Sequence, residues 1–254
     1  MATTSITVQA TPLIRYVLNR ADDALILGHR LSEWCGIAPM MEEEMALANM
    51  GLDLLGQATA LYAYAATLEG NGRSEDDYAF LRDERGFGNL LLVEQPNGDF
   101  AYTMMRQFLY SAFIDLYWQI LKASPDATLA AISAKAEKES AYHLRHAAEW
   151  VIRLGDGTAE SHKRAQAALD ILWPFTGELF TPEDEDLQGI VPNPEDLRAS
   201  WQGEVSSIIA RATLKLPADG WMQKGGRDGL HTEHLGHLLT EMQYLPRSFP
   251  GATW

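Results

Sequence analysis

The chain has 254 residues, 46% of them apolar, and a formal net charge of −15. That is ample for a sizeable core and too hydrophobic for disorder. The acidic balance excludes the basic stripe of a nucleic-acid surface and disfavours docking on anionic lipid.

One cysteine, Cys35, permits neither an intrachain disulfide nor a thiolate cluster, so a reducing, cytoplasmic setting is expected. The opening "MATTSITVQATPLIRYVLNRADDALIL" lacks the basic start and apolar centre of a signal peptide. No run approaches the ~18–20 apolar residues of a membrane span, and no membrane partner is expected.

Pro12 sits well for a first helical turn, and Ile14, Leu18, Leu25, His29 and Glu33 fall near one face of a helix over 12–35. Gly36 and Pro39 stop it. The next helix, 42–69, carries the line Leu47, Met50, Leu54, Gln57, Leu61, Tyr64, Leu68 in steps of three and four. A short helix near 75–83 and an irregular stretch, "GFGNLLLVEQPNGD", follow, with Asp99 as N-cap of the third long helix, 100–123. Its "FLYSAFIDLYWQIL" is apolar almost all round, as in a helix buried on several sides.

The fourth long helix, 126–154, has the stripe Ile132, Ala136, Ser140, His143, Ala147, Val151, Leu154, with Gly155 at its stop. Further helices are expected over 158–178, 194–215 and 231–245, around an acidic loop at 181–195. No strand alternation, repeat or glycine-rich phosphate loop is seen. The expected fold is all-α: one domain over 1–254, with a ferritin-like long four-helix bundle over about 12–154 and a helical annex over about 158–254.

Helix bundles of this length hold di-iron centres with a carboxylate from each of two helices and Glu-x-x-His from each of the other two. The i, i+3 spacing sets both ligands of a pair on one face. On the second helix the core line offers Leu54 and Gln57 at that spacing. On the fourth it offers Ser140 and His143, with Glu139 and Tyr142 beside it. Glu33 on the first helix and Ser111 or Asp115 on the third complete the level. Leucine and serine supply no charge to balance a dication. The bland reading of His143 is a buried histidine bonded to Glu33, Gln57 or Ser140. The alternative is an irregular site made from Glu33, Asp53, Asp115, Glu139 and His143 by rotated helices, which would expose the apolar stripe. In "HTEHLGHLLTE", His231, Glu233, His234 and His237 have side chains that zinc accepts, but no cysteine or second ligand cluster is evident; a packed or interface helix is the simpler expectation.

The phrases "RLSEWCGIAP", "ALANMGLDLLGQA", "RDERGFGNLLLVEQPNGDFA", "AISAKAEKESAYHLRH" and "GLHTEHLG" resemble the PaaC-type subunits of phenylacetyl-CoA epoxidase, over nearly the whole chain after residue 12. The resemblance implies a ferritin-like scaffold beside a PaaA-type sister that carries the di-iron site. That complex epoxidises the aromatic ring of phenylacetyl-CoA with O₂ and electrons from NADPH through a separate reductase. The sister's ligand pattern maps onto Glu33 and His143, kept, and Leu54, Gln57, Ser111 and Ser140, lost. The resemblance therefore implies a non-catalytic structural subunit with no cofactor of its own, and the notable alternative is a di-iron oxidase active alone. A chain without its sister is expected to form a homodimer. A free-standing CoA-ester binding module is the third reading, though no basic cluster for the CoA phosphates stands out.

Overall fold

Four long helices carry the fold: α1 (Pro12–Ser32), α2 (Met41–Glu69), α5 (Phe100–Leu121) and α6 (Ala127–Gly155), with the short α3 (Glu75–Phe80) and α4 (Leu91–Glu94) between α2 and α5. They are followed by α7 (Ala159–Leu172), α8 (Arg198–Arg211) and α9 (Glu233–Ser248). The computed structural model describes residues 5–218 and 220–252, and none of these forms a strand. Of the seven tryptophans, Trp254 lies outside the described residues.

Local chemistry starts and stops these helices where the sequence signals it. Thr11 accepts from the Ile14 amide at the start of α1 (3.3 Å), and Asp99 caps α5 through the Tyr102 amide (2.9 Å). Asp126 caps α6 through the amides of Thr128 and Leu129. Three glutamates in the first turn of α2 complement the positive end of the helix dipole. Two expected helices are shorter than their patterns: 158–178 is helical to Leu172 and continues in 3₁₀ turns, and 194–215 becomes a 3₁₀ turn followed by α8. Pro174 cannot donate the next helical hydrogen bond.

α1 packs against α2 and α5 against α6, and the two pairs meet along α2 and α6. The α1–α2 crossing is set by Gly28 and Gly51. A methyl group on Gly28 would lie 3.2 Å from the Gly51 carbonyl and 3.3 Å from Leu54 Cβ. α5 is buried on nearly every side, with Phe108, Phe113, Tyr117 and Trp118 in the core. Each such side chain contributes about 1.5–3 kcal/mol of burial free energy. α7 and α8 cover α5 and α6, and α9 lies on α3.

The segment between α3 and α5 runs through the protein with little helix to satisfy its amides. Buried carboxylates do so instead. Asp22 accepts from the Gly88 amide and Asp23 from the Leu90 amide, both at 2.8 Å, and Glu178 accepts from the Leu91 amide at 2.8 Å. Asp22 also takes the Tyr62 hydroxyl (2.5 Å) and the Arg82 guanidinium, and Asp23 takes both Nη atoms of Arg227 (3.0 and 2.7 Å). Glu178 reaches the Gly225 amide as well (2.9 Å). Gly226 is there because nothing larger fits: a Cβ would meet the Asn89 carbonyl at 2.2 Å. Charges this deep are tolerable because Asp22 and Asp23 are paired with arginines and Glu178 accepts from main-chain amides.

Asp22→Ala should strip Arg82, Tyr62 and Gly88 of one shared partner and lower stability by about 3–5 kcal/mol, the usual cost of orphaning a buried charge. Denaturant melts of Asp22→Ala and of Asp22→Ala with Arg82→Met check this: the double variant should recover part of the loss.

Candidate functional site

The positions that the sequence placed at a metal level lie along the seam between α2 and α6. Leu54, Gln57, Ser140 and His143 are all buried, as the core stripes require, and Ser111 on α5 is buried too. Their partners differ from those expected. His143 presents Nε2 to Asp53 Oδ2 at 3.1 Å, rather than to Glu33, Gln57 or Ser140. Gln57 donates from Nε2 to Glu139 Oε2 (2.9 Å), and Glu139 also faces Lys135 Nζ at 3.5 Å. Ser111 accepts from Gln107 one turn earlier in α5 (3.1 Å). One helical step along the seam, His146 Nε2 meets Glu43 Oε2 at 2.9 Å, a pair that the stripe reading missed although Glu43 stands in the acidic first turn of α2. Burial depresses the His146 pKa, and the charge of Glu43 opposes that.

Glu33 does not reach this level. Leu54 packs beside Gly28, and Glu33 is five residues further along, about 7.5 Å at 1.5 Å per residue and in the direction away from Gln57. It lies just past the end of α1 with its side chain 39% exposed, and accepts from Arg30 (2.8 Å) and Asn97 (2.9 Å). Its expected place on the core line is corrected on two counts: α1 ends at Ser32, and the glycine crossing sets a different register between α1 and α2. Asp115 also faces elsewhere, toward α8.

The chemistry of the donor set does not fit a di-iron centre. Leu54, Ser111 and Ser140 offer no ionised oxygen, Gln57 offers a neutral amide already engaged, and Glu33 is out of reach. Among the described residues no group of three or more His, Cys, Asp and Glu side chains converges as metal ligands would. What the seam can do is hold two helices together by three paired polar contacts, although His146 Nδ1 stays buried without a partner.

The histidine-rich C-terminal motif also divides. His231 precedes α9, and its buried ring presents Nδ1 to Glu94 Oε2 (2.8 Å) and Nε2 to the Phe87 carbonyl (2.9 Å). A carbonyl only accepts, so Nε2 donates to Phe87, and Nδ1 faces the Glu94 carboxyl group. Glu94 takes the Thr232 amide and hydroxyl with its other oxygen (2.6 and 2.7 Å). Glu233 and His237 are exposed, and the His234 carbonyl accepts from Arg30 (3.4 Å). The motif therefore docks the start of α9 onto α4 through His231 and Thr232.

The whole chain, residues 1–254, matches the phenylacetic acid catabolic protein family, PaaA_PaaC. The chain belongs to this family. The match takes in the first dozen residues as well, ahead of the motifs that carry the resemblance in the sequence. A relative from Escherichia coli strain K12, a subunit of 1,2-phenylacetyl-CoA epoxidase, is 51% identical over 246 residues, covering 95% of this chain and 99% of the relative. Within this member of the family no described helix is long and apolar enough to cross a membrane.

His231 gives a pH signature. Burial alone would lower its pKa, but the Glu94 hydrogen bond and charge, with the Phe87 carbonyl, raise it above the ordinary value. The stabilisation is therefore fully present below the unfolded value of about 6.5 and is lost as pH rises through the folded value. Melting temperature should fall on moving from about pH 6.5 upward, and His231→Gln should flatten that slope relative to the parent chain.

Proposed function

We propose that this chain is a non-catalytic structural subunit of a cytoplasmic, multicomponent oxygenase acting on phenylacetyl-CoA, and that it holds a di-iron sister subunit in working geometry. The observation that carries this reading is the replacement of ligands at the metal level by Leu54, Gln57, Ser111 and Ser140, with the remaining His143 engaged by Asp53. The 51% identity to the Escherichia coli epoxidase subunit supports the substrate and the setting. An exposed free thiol, Cys35, fits a reducing compartment. The role is positional: a rigid bundle packed against a metal-bearing one limits the movement of the ligands in the partner.

The deciding experiment rebuilds the oxygenase with a Glu33→Ala, His143→Ala chain and measures turnover together with the iron content of this chain purified alone. Turnover of the assembled complex should stay close to the parent value, and the isolated chain should hold essentially no iron after aerobic loading. A fully assembled complex that has lost turnover, or about two irons per chain, would overturn the reading.

Association is expected as well. The outward face of α2 presents Met41, Met45 and Leu52, continued by Ile37 and Met40 in the turn before it, all exposed. An apolar strip of this kind favours burial against another helical surface. The isolated chain should self-associate as a two-fold homodimer, and adding the sister should convert it to a heteromeric complex with a higher thermal midpoint. Light scattering and melting curves follow both changes; a chain that stays monomeric and gains nothing from the sister contradicts the proposal.

A further inference from the structure

The exposed methionines among the described residues are confined to one short stretch. Met40, at the entry to α2, and Met41 and Met45, early in that helix, are 46%, 76% and 61% exposed. Met50, Met104, Met105 and Met242 are buried, Met222 is half-buried against Gly177, and Met1 lies outside the described residues. Met41 and Met45 stand at i, i+4 and share a face of α2, on the apolar strip that also carries Ile37 and Leu52. Glu42 and Glu44 stand between them, so an anionic oxidant is repelled and a neutral one is not.

An exposed thioether takes up oxygen and becomes a sulfoxide, which turns a flexible apolar side chain into a polar one. Burial denies the oxidant access. Reactive sulfur and apolar strip therefore coincide in this chain. We propose that Met40, Met41 and Met45 form a reversible oxidation site for neutral hydroperoxides, and that their sulfoxides close the strip to association. The sulfur lone pair attacks one peroxide oxygen, an S–O bond forms as the O–O bond breaks, and the other oxygen leaves as water. Each thioether is oxidised by two electrons and each peroxide is reduced by two. A dithiol reverses the step through a sulfoxide reductase: the sulfoxide oxygen leaves as water and the dithiol becomes a disulfide. The consequence for assembly rests on the association proposed above for this face; the reactivity of the sulfurs does not. A docked partner covers the strip, so oxidation acts on chains that have not assembled.

The test exposes the full chain to millimolar hydrogen peroxide, in a Cys35→Ser background so that the exposed thiol consumes no oxidant. Peptide mass spectrometry maps the methionines while light scattering follows association. Met40, Met41 and Met45 should each gain one oxygen while Met50, Met104, Met105 and Met242 stay reduced, and a bound sister subunit should slow the three reactions. Association should weaken by about tenfold or more, and sulfoxide reductases with dithiothreitol should restore it. Met40→Leu, Met41→Leu and Met45→Leu together keep the strip apolar and should leave association intact and insensitive to peroxide. Oxidation of the buried methionines ahead of these three would overturn the site. Three sulfoxides with unchanged association, or a triple-leucine chain that peroxide still dissociates, would overturn the closing of the strip and leave the association reading standing. An untreated chain that binds neither itself nor the sister would overturn the association reading instead, and the methionine map would still decide the site.

Discussion

The structure depends on a set of buried carboxylates that act as receptors for main-chain amides. Asp22, Asp23 and Glu178 take the amides of Gly88, Leu90 and Leu91, and Glu94 takes that of Thr232. A non-helical strap threaded between helices would otherwise carry unsatisfied donors into the core, which folded proteins rarely permit. The carboxylates solve that problem and create another, their own charge, which Arg82, Arg227 and His231 balance. Fold and electrostatics are therefore one device, and it reaches from α1 through the strap to the start of α9.

Away from this clamp, the α2–α6 seam pairs its own polar groups. The level where a related bundle would hold metal is filled by an apolar side chain, two hydroxyls and an amide, and the histidine left there turns to Asp53 on the neighbouring helix. The seam from Glu43–His146 to Gln57–Glu139 is a row of short polar contacts between the two helices. Such a row fixes the register of two helices without a cation.

The sequence made the helices legible because their stripes repeat every three or four residues and their caps are local. Asp99, Leu54, Gln57, Ser140 and His143 all sit where that periodicity puts them. Glu33 was misjudged for a physical reason. Periodicity tells which face a residue occupies on its own helix but says nothing about its height against the next one, which the Gly28–Gly51 crossing sets. The carboxylate clamp stayed hidden because its partners are remote: Asp22 meets Arg82 and Asp23 meets Arg227, 60 and 204 positions away. A trace was present, since Asp22 falls on the Leu18–Leu25 stripe where a charge is out of place. The histidines at 231, 234 and 237 read most simply as part of a packed or interface helix, yet His231 precedes α9 and its ring turns inward toward Glu94.

The strap between α3 and α5 also bears on how the protein opens. Amides outside regular helices usually exchange with solvent through small local fluctuations. Those of Gly88, Leu90 and Leu91 are held by side chains rooted in α1 and in the turns after α7, so releasing any one of them means parting elements far apart in the chain. Their hydrogens belong with the slowest-exchanging set, and the chain loses its structure there only when the helices themselves separate.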